Sequence, residues 1–330
     1  MIYLESKSFD PHFNLAMEQY IFDQMDRNEE YFFLWQNANT IVVGKHQNTI
    51  GEINQKFVEE HNISVVRRLS GGGAVYHDMG NLNFTIIVSR TDQMADFDFS
   101  RFCLPVVNAL KKLGVKAEIN GRNDITIDGK KFSGNSQYMK QGRIMHHGAI
   151  LYASDLTTVS KALIVSKDKI ASKGVTSVRS RVTNVVDYME KKVPLEVFKK
   201  ALLDEMGKRE KLEKQELTPE DIEKIKEIQK ARYDTWEWNY GKSPKYDIEK
   251  ERYIEGCGKF QLNINVKDGI IIAFDVFGDY FGNGDKEDVQ KLLQGVKINR
   301  EALTKVLADF PLDNYFHNLP KETFVDMIVE

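Results

Sequence analysis

Two arginines, a serine and three glycines lie together at Arg67-Arg68-Leu69-Ser70-Gly71-Gly72-Gly73, and Ala74-Val75-Tyr76-His77-Asp78 follow directly. Adjacent glycines let a backbone pass against a ligand with no Cβ in the way. Arg67 and Arg68 can bring positive charge to that place. Residues 63–66 before the run and 84–88 after it read as strands, so the glycines join strand to strand. A Walker phosphate loop or a dinucleotide fingerprint leads from a strand into a helix instead, and the GxxxxGK[ST] order is absent. A bare glycine hairpin would leave its arginines solvated. The Ser, His and Asp beside this one favour a ligand site.

The second reactive stretch is Gly129-Lys130-Lys131-Phe132-Ser133-Gly134-Asn135-Ser136-Gln137. Residues 124–127 alternate like a strand ahead of it, so Asp128-Gly129 reads as a hairpin tip. Alone, two lysines beside a turn would be a solvated turn. His146-His147 is a further pair. Neighbours on a strand face opposite ways, which argues against one metal shared between them.

Taken together, these stretches resemble the lipoate–protein ligases of the single-chain, two-domain type. The resemblance is carried by Arg67-Arg68-x-Ser70-Gly71-Gly72-Gly73-Ala74-Val75-Tyr76-His77-Asp78, Gly121-Arg122-Asn123-Asp124, Lys131-Phe132-Ser133-Gly134 and His146-His147-Gly148. Residues 174–184, Trp35-Gln36-Asn37 and Gly44-Lys45-His46-Gln47-Asn48 also fit. It extends over essentially the whole chain. Its specific part is Arg-x-Ser-Gly-Gly-Gly followed by Lys-x-Ser-Gly. Departures are small: Asn135 stands where small residues are common, and Tyr76 where Phe is common.

The resemblance implies an α/β (α+β) fold: a biotin-ligase-like mixed-sheet catalytic domain over residues 1–244 and a smaller α+β accessory domain over 248–330. It implies activation of lipoate by ATP, with Mg2+, to lipoyl-AMP. The acyl group then goes to a lysine of lipoyl domains of 2-oxoacid dehydrogenase complexes or of glycine cleavage H protein. Such chemistry needs a fixed cation and aimed N–H groups where negative charge builds on oxygens. Lys131 suits that role because an ammonium is a compact point charge, and Lys130 on the other face is taken as solvated. Arg68, Gly73, Ala74, Val75, Tyr76, Asn123, Asp124, Lys173 and Val175 match the nucleotide side. Ser70, Gly71, Gly72, His77, Ser133, His147 and Trp35 match the acyl side, with Glu18 beyond them. Asp124 is the magnesium candidate, since magnesium takes few protein carboxylates beside phosphates. Residues 174–184 match a loop that closes over the adenylate and keeps water out. The same-fold rival passes lipoyl or octanoyl groups between carriers through a cysteine thioester. A biotin ligase and a carrier-binding protein without ATP use are further rivals.

The remaining sequence bounds these readings. A length of 330 residues suits about two domains with a sizeable core. The net charge of −3 supplies no global field for nucleic acid, so an anion site must be local. Cys103 and Cys257 are far apart in sequence, which speaks against a disulfide framework or a zinc knuckle. No leader is visible at Met1 and no apolar run reaches the roughly 18 residues of a membrane span, so the cytoplasm is expected.

The elements that must position these residues are partly readable. Asp10 and Pro11 open a helix. Residues 31–35, 40–43 and 147–152 read as strands, and 100–113 as a helix with an irregular first turn at Pro105. Pro194 starts another helix, and Thr218-Pro219 caps one more. Residues 236–244 break the pattern and read as an interdomain strap packed on the surface. Phe260, Leu262, Ile264 and Val266 then alternate into a hairpin at Asp268-Gly269, and helices near 288–293, 300–307 and 321–328 follow.

Overall fold

Residues 1–91, 97–121, 123–164, 182–209, 211–240, 248–267 and 269–329 are described by a computed structural model. In chain order the strands are β1 (Ile2–Glu5), β2 (Tyr31–Trp35), β3 (Thr40–Val43), β4 (Ser64–Arg67), β5 (Val75–His77), β6 (Asn81–Ser89), β7 (Glu118–Asn120), β8 (Asp124–Ile127), β9 (Lys130–Lys140) and β10 (Arg143–Leu151). β11 (Glu213–Lys214), β12 (Ile248–Ile254), β13 (Gly258–Lys267) and β14 (Ile270–Gly278) complete them. One mixed sheet has the order β11-β1-β2-β6-β10-β9-β8-β7. A small sheet β4-β3-β5 carries the glycine run between β4 and β5, and β12-β13-β14 forms a third.

β2 is buried along its whole length, and β6 along all but its last residue. Such continuous apolar strands need cover on both faces. Phe32 and Leu34 of β2 point into a core shared with Phe102, Val106 and Leu110 of the helix Ser100–Lys112 and with Phe198 and Leu202 of the helix Leu195–Arg209. Tyr31, Phe33 and Trp35 point the other way, onto Leu15, Met17 and Ile21 of the helix Pro11–Asp23, here α1. Alternation along one strand thus builds two cores.

α1 is held at both ends. Asp10 accepts from the His12 N–H at 3.0 Å, with Pro11 in the first turn. At the other end the buried Arg143 donates to the carbonyls of Ile21 and Phe22, the latter at 2.7 Å, and its guanidinium lies over the rings of Phe22 and Tyr31. The last carbonyls of a helix lack intrahelical partners, and an arginine brings both donors and the right charge. This clamp matters for the site because α1 turns Glu18 inward to 2% exposure.

The sequence expectations hold for most long elements. The 31–35 and 40–43 strands, the Asp128-Gly129 tip and the Thr218–Asp221 capping box all form. Differences are local. The helix Ser100–Lys112 runs unbroken through Pro105. β10 begins at Arg143, earlier than the expected strand at 147. β1, β12 and the short helices Thr49–Glu52, Gln55–Glu60 and Leu156–Ala162 had no sequence expectation. They are too short or too exposed for a clear apolar period.

β13 and β14 pair from Phe260↔Gly278 to Lys267↔Ile270. The helices Lys286–Leu293, Arg300–Leu307 and Lys321–Val329 join this sheet in its own core, around Phe260, Leu262, Val276, Leu303 and Phe324. The expected domain division falls at residues 241–247, outside the described residues, as does Asp268 of the hairpin tip. Gly278 N–H donates to the His46 carbonyl at 2.7 Å and Gly72 N–H to the Tyr280 carbonyl at 3.3 Å, so the C-terminal part touches the glycine run directly. Among the described residues no helix is long and apolar enough to cross a membrane.

Arg143→Met should lower unfolding free energy by roughly 2–4 kcal/mol, because buried carbonyls at the end of α1 lose their donor. Urea unfolding reads this directly. A change below about 0.5 kcal/mol would show that water replaces the guanidinium without cost.

Candidate active site

One row of paired residues crosses the large sheet. Asp124 pairs with Gly134, Gly134 with Ala149, Ala149 with Asn83, and Asn83 with Trp35. At about 4.8 Å between strands the row is roughly 19 Å long. A cleft of about 940 Å³ lies over it and is lined by all five of these residues. Small side chains at Gly134 and Ala149 leave its floor open. Arg68 and the 72–77 segment form part of its wall, with His147 and Leu15 at the Trp35 end.

Lys131 stands at the Asp124 end. Its Nζ is 2.6 Å from Asp124 Oδ1, an ion contact outside hydrogen-bond angles. A Cβ on Gly134 would lie 2.9 Å from that Nζ, so the missing side chain is the space the ammonium occupies. Lys130 is exposed, as alternation predicts. The backbone of Lys131 is held from the chain beyond the 174–181 stretch: Thr183 N–H donates to its carbonyl at 2.9 Å.

The glycine turn is built around a buried cation. Arg68 donates from Nη2 to the carbonyls of Gly71 (2.7 Å) and Gly73 (2.9 Å), from Nη1 to Val42, and from Nε to Ser70 Oγ at 3.1 Å. Burial pushes its pKa down to about 10, which still leaves it charged at neutral pH. Arg67 points elsewhere, but it is not solvated. It donates to Gly44, Lys45 and Gln47 carbonyls, to Thr49 Oγ1 and to the Trp238 carbonyl. Arg67 therefore organises the 44–49 loop and docks the segment Trp236–Asn239, whose Trp238 Nε1 donates back to the Arg67 carbonyl at 2.8 Å. Within the expected strap, residues 236–239 form a short helix packed on Arg67; residues 241–244 lie outside the described residues.

A hydrogen-bond chain runs from this turn beneath the cleft. Ser70 Oγ lies 2.6 Å from His147 Nε2, and His147 Nδ1 is 2.9 Å from Glu18 Oε1. Thr85 Oγ1 donates to the same carboxylate at 2.5 Å and accepts from Trp35 Nε1 at 2.9 Å. Every member is at most 8% exposed. His77, also buried, presents Nδ1 to the side-chain amides of Asn37 (3.2 Å) and Asn83 (3.4 Å). Burial, aided by the positive Arg68, drops its pKa to about 3, so the ring is neutral. His146 faces the other way and stacks on Phe102 at 4.8 Å, so the two adjacent histidines share no site.

The sequence-derived residues divide clearly. Lys131, Asp124, Asn123, Arg68, Gly72, Gly73, Ala74, Val75, Tyr76, His77, His147 and Trp35 line the cleft. Ser70 and Gly71 lie beneath the turn, and Ser133 faces away from Gly134 with 1% exposure. Lys173 and Val175 lie outside the described residues, as do residues 174–181 of the expected lid. Among the described residues no group of three or more His, Cys, Asp or Glu could hold a metal. Asp124 with Asn123 beside it fits a magnesium ion that arrives on phosphate oxygens, because such an ion needs few protein ligands. Sequence reasoning missed the C-terminal contribution: Tyr253, Glu255, Gly256 and Asp279 also line the cleft. Their turn carries no motif that could have flagged them.

Comparison with known proteins agrees in kind. Residues 10–207 match the lipoyl protein ligase A/B catalytic domain, and residues 243–328 match the bacterial lipoate protein ligase C-terminus. The chain is 44% identical to the lipoate-protein ligase LplJ of Bacillus subtilis, over 99% of this chain and 100% of that protein. It is 42% identical to lipoate–protein ligase 1 of Staphylococcus aureus, over 97% of each. Its fold matches that of P. falciparum LipL1 in complex with lipoate, with a TM-score of 0.82 at 24% identity, over 99% of this chain and 98% of that one. A bipartite lipoate protein ligase from Thermoplasma acidophilum, studied with its E2 lipoyl domain, gives 0.65 at 28% identity, over 75% and 98%. A lipoate-protein ligase A bound with ATP gives 0.64 at 26%, over 73% and 98%.

Gly134→Ala should displace the Lys131 ammonium, the flexible end of a side chain, while leaving the backbone intact. Melting should stay within about 3 °C of wild type. The step that Lys131 serves should slow by roughly 10- to 100-fold, as for a misplacement of about 1 Å. Wild-type turnover in this variant would show that the position of Nζ over Gly134 does not matter.

Proposed function

Because the chain belongs to the lipoate–protein ligase family, we propose that it makes lipoyl-AMP from lipoate and ATP and passes the lipoyl group to a lysine of an acceptor domain. A carboxylate at neutral pH does not acylate an amine. Its oxygen attacks the α-phosphate of ATP and pyrophosphate leaves; the amine then attacks the carbonyl carbon of the mixed anhydride and AMP leaves. In both steps negative charge gathers on neighbouring oxygens, and a fixed cation lowers both barriers.

The observation that carries this reading is the position of Lys131. Its ammonium sits at one end of a cleft whose floor is cleared by Gly134 and Ala149 and which ends at Trp35. An acyl chain laid along the row would put its carboxylate at Lys131. Asp124 holds the ammonium there until a phosphate or acyl oxygen takes its place. Backbone N–H groups of the 73–76 segment would offer the α-phosphate further donors. Magnesium, carried by phosphates and Asp124, would neutralise the departing pyrophosphate. Residues 174–184, continuing into the contact of Thr183 with Lys131, would close over the adenylate. Related structures determined with ATP and with lipoic acid support this substrate pair.

Acceptors in this reading are lipoyl domains of 2-oxoacid dehydrogenase complexes and glycine cleavage H protein. The archaeal relative studied with its E2 lipoyl domain supports the first of these.

The thioester rival needs a cysteine nucleophile in the acyl site. Cys103 is 1% exposed, and burial pushes its thiol up to about 12. Cys257 is nearer than its sequence position suggests, because its neighbours Gly256 and Gly258 reach the cleft wall. Its own Sγ is 2% exposed and donates to the Asn318 carbonyl at 2.9 Å, inside the C-terminal core.

Lys131→Met should fold normally and lose roughly 10²–10³ in both pyrophosphate release and acceptor lipoylation, measured separately. Lys130→Met should match wild type. Full activity in Lys131→Met would remove the central cation from the mechanism. Cys103→Ser combined with Cys257→Ser should keep ATP-dependent lipoylation within about threefold, once any stability lost to a buried hydroxyl is accounted for. Transfer lost in a folded double variant, or transfer that needs no ATP, would favour the thioester route.

A further inference from the structure

Most polar groups at the Trp35 end of the cleft are already committed. Both ring nitrogens of His147 are engaged, one by Glu18 and one by Ser70. Trp35 Nε1 donates to Thr85. His77 Nε2 is different: it is buried, has no hydrogen-bond partner among the described residues, and belongs to a residue that lines the cleft.

The surrounding amides determine what that nitrogen carries. Asn14 Nδ2 donates to the backbone carbonyls of Ser8 (3.0 Å) and Gln36 (2.9 Å), and a carbonyl can only accept. The Asn14 amide is thus oriented, and its NH2 group, whose two hydrogens are shared among three acceptors, also lies 2.9 Å from Asn37 Oδ1. Asn37 must then turn its NH2 group to His77 Nδ1. Asn83 presents its NH2 to the same nitrogen, its own Oδ1 accepting from Asn81 at 2.9 Å. A ring nitrogen facing two NH2 groups accepts. In a neutral ring the hydrogen is therefore on Nε2. The wall of the cleft therefore holds a buried N–H that meets no acceptor among the described residues.

Its place along the cleft indicates what should meet it. Asn83 is two strands from Gly134, where the Lys131 ammonium sits, and Trp35 is three. At about 4.8 Å per strand that is roughly 10–14 Å. With carbon–carbon bonds of about 1.5 Å, an extended eight-carbon acid whose carboxylate is at Lys131 brings its far end roughly 8–10 Å along. For lipoate that end is the sulfur-bearing ring. For octanoate it is a bare methyl. The His77 ring lies edge-on to Trp35 at 6.1 Å, so both surround this end.

Building on the ligase reading, we propose that His77 Nε2–H is a specificity-determining donor that recognises the dithiolane sulfur and ranks lipoate above octanoate. Sulfur is a weak acceptor, but it also packs well at aromatic edges, which Trp35 provides. A methyl group in the same place leaves the donor unmet where sulfur would meet it, a difference that discriminates by about tenfold.

The test uses the full-length protein and pyrophosphate release with each acid. Wild type should prefer lipoate by about tenfold in kcat/KM, mostly through KM. His77→Phe should bring the ratio to within about twofold, and His77→Gln, which keeps an NH2 donor, should retain part of it. A folded His77→Phe protein with the wild-type ratio overturns the proposal. Nitrogen NMR on histidine-labelled wild type gives an answer that needs no variant. Nε2 should carry the hydrogen in the free protein, and its resonance should move with lipoate and not with octanoate. A bare Nε2, or equal movement with both acids, overturns the proposal. If wild type releases no pyrophosphate with either acid, the ligase reading fails on its own, and direct binding of the two acids then decides the role of His77.

Discussion

Arg68 is a charged side chain sealed inside a turn made largely of glycine, and its donors must be met by backbone carbonyls. A buried cation without such partners would be costly. The turn therefore has to curl around the guanidinium, and Gly71 and Gly73 carbonyls become fixed inward. The Nε contact to Ser70 passes the constraint on to His147, then to Glu18, Thr85 and Trp35. One buried charge thereby sets the shape of the glycine turn and of the Trp35 end of the cleft together. Glu18 can take part only because α1 is held at its far end by Arg143, another guanidinium spent on carbonyls.

The cleft itself depends on residues that are missing volume. Gly134 gives up the space that Lys131 Nζ fills, while Gly148, on the other face of β10, makes room for Asn135 Oδ1 and the Phe84 ring, 2.3 and 2.4 Å from where its Cβ would lie. A sheet covered on both faces by helices would normally close over such a row with larger side chains. Here small residues hold it open between Lys131 and Trp35, while the polar groups below bond to one another. The site is cationic at one end and nearly spent in hydrogen bonds at the other. That asymmetry suits an acid with an apolar tail.

The chemistry was more legible in the sequence than the geometry. Lys131, Arg68 and the 72–77 run stand in local motifs, and local alternation correctly separated Lys130 from Lys131 and His146 from His147. Long amphipathic elements were legible for the same reason. Arg67 was not: beside Arg68 it read as a second positive charge for a ligand, whereas six donor contacts to residues 44–49 and 238–239 bury it. Those partners come from distant parts of the chain. Asn14, Asn37 and Asn83 were invisible as a group for that reason too. Each is an ordinary polar residue until the sheet places them around one imidazole. β12 and its turn at residues 253–258 had neither an apolar period nor a motif, yet they reach the cleft wall.

The three glycines answer to more than the ligand. Gly72 adopts φ +87°, a conformation that L side chains avoid. A Cβ on Gly71 would come within 2.4 Å of the Tyr280 carbonyl, and one on Gly44 within 1.9 Å of the Gly72 carbonyl. The turn is thus squeezed between the 44–48 loop on one side and the C-terminal part on the other. His46 joins the two, stacked at 4.5 Å on Tyr280, and burial lowers its pKa so that it rests there uncharged. Tyr280 stacks in turn on Phe260 at 4.9 Å, in the core of the C-terminal sheet. A path of direct contact therefore runs from that core, through Tyr280, to the loop that would hold the α-phosphate. Movement of the C-terminal part away from the glycine turn would break the Gly72–Tyr280 and Gly278–His46 hydrogen bonds. The turn and the C-terminal part thus meet through a backbone contact that a side chain at position 71 would block.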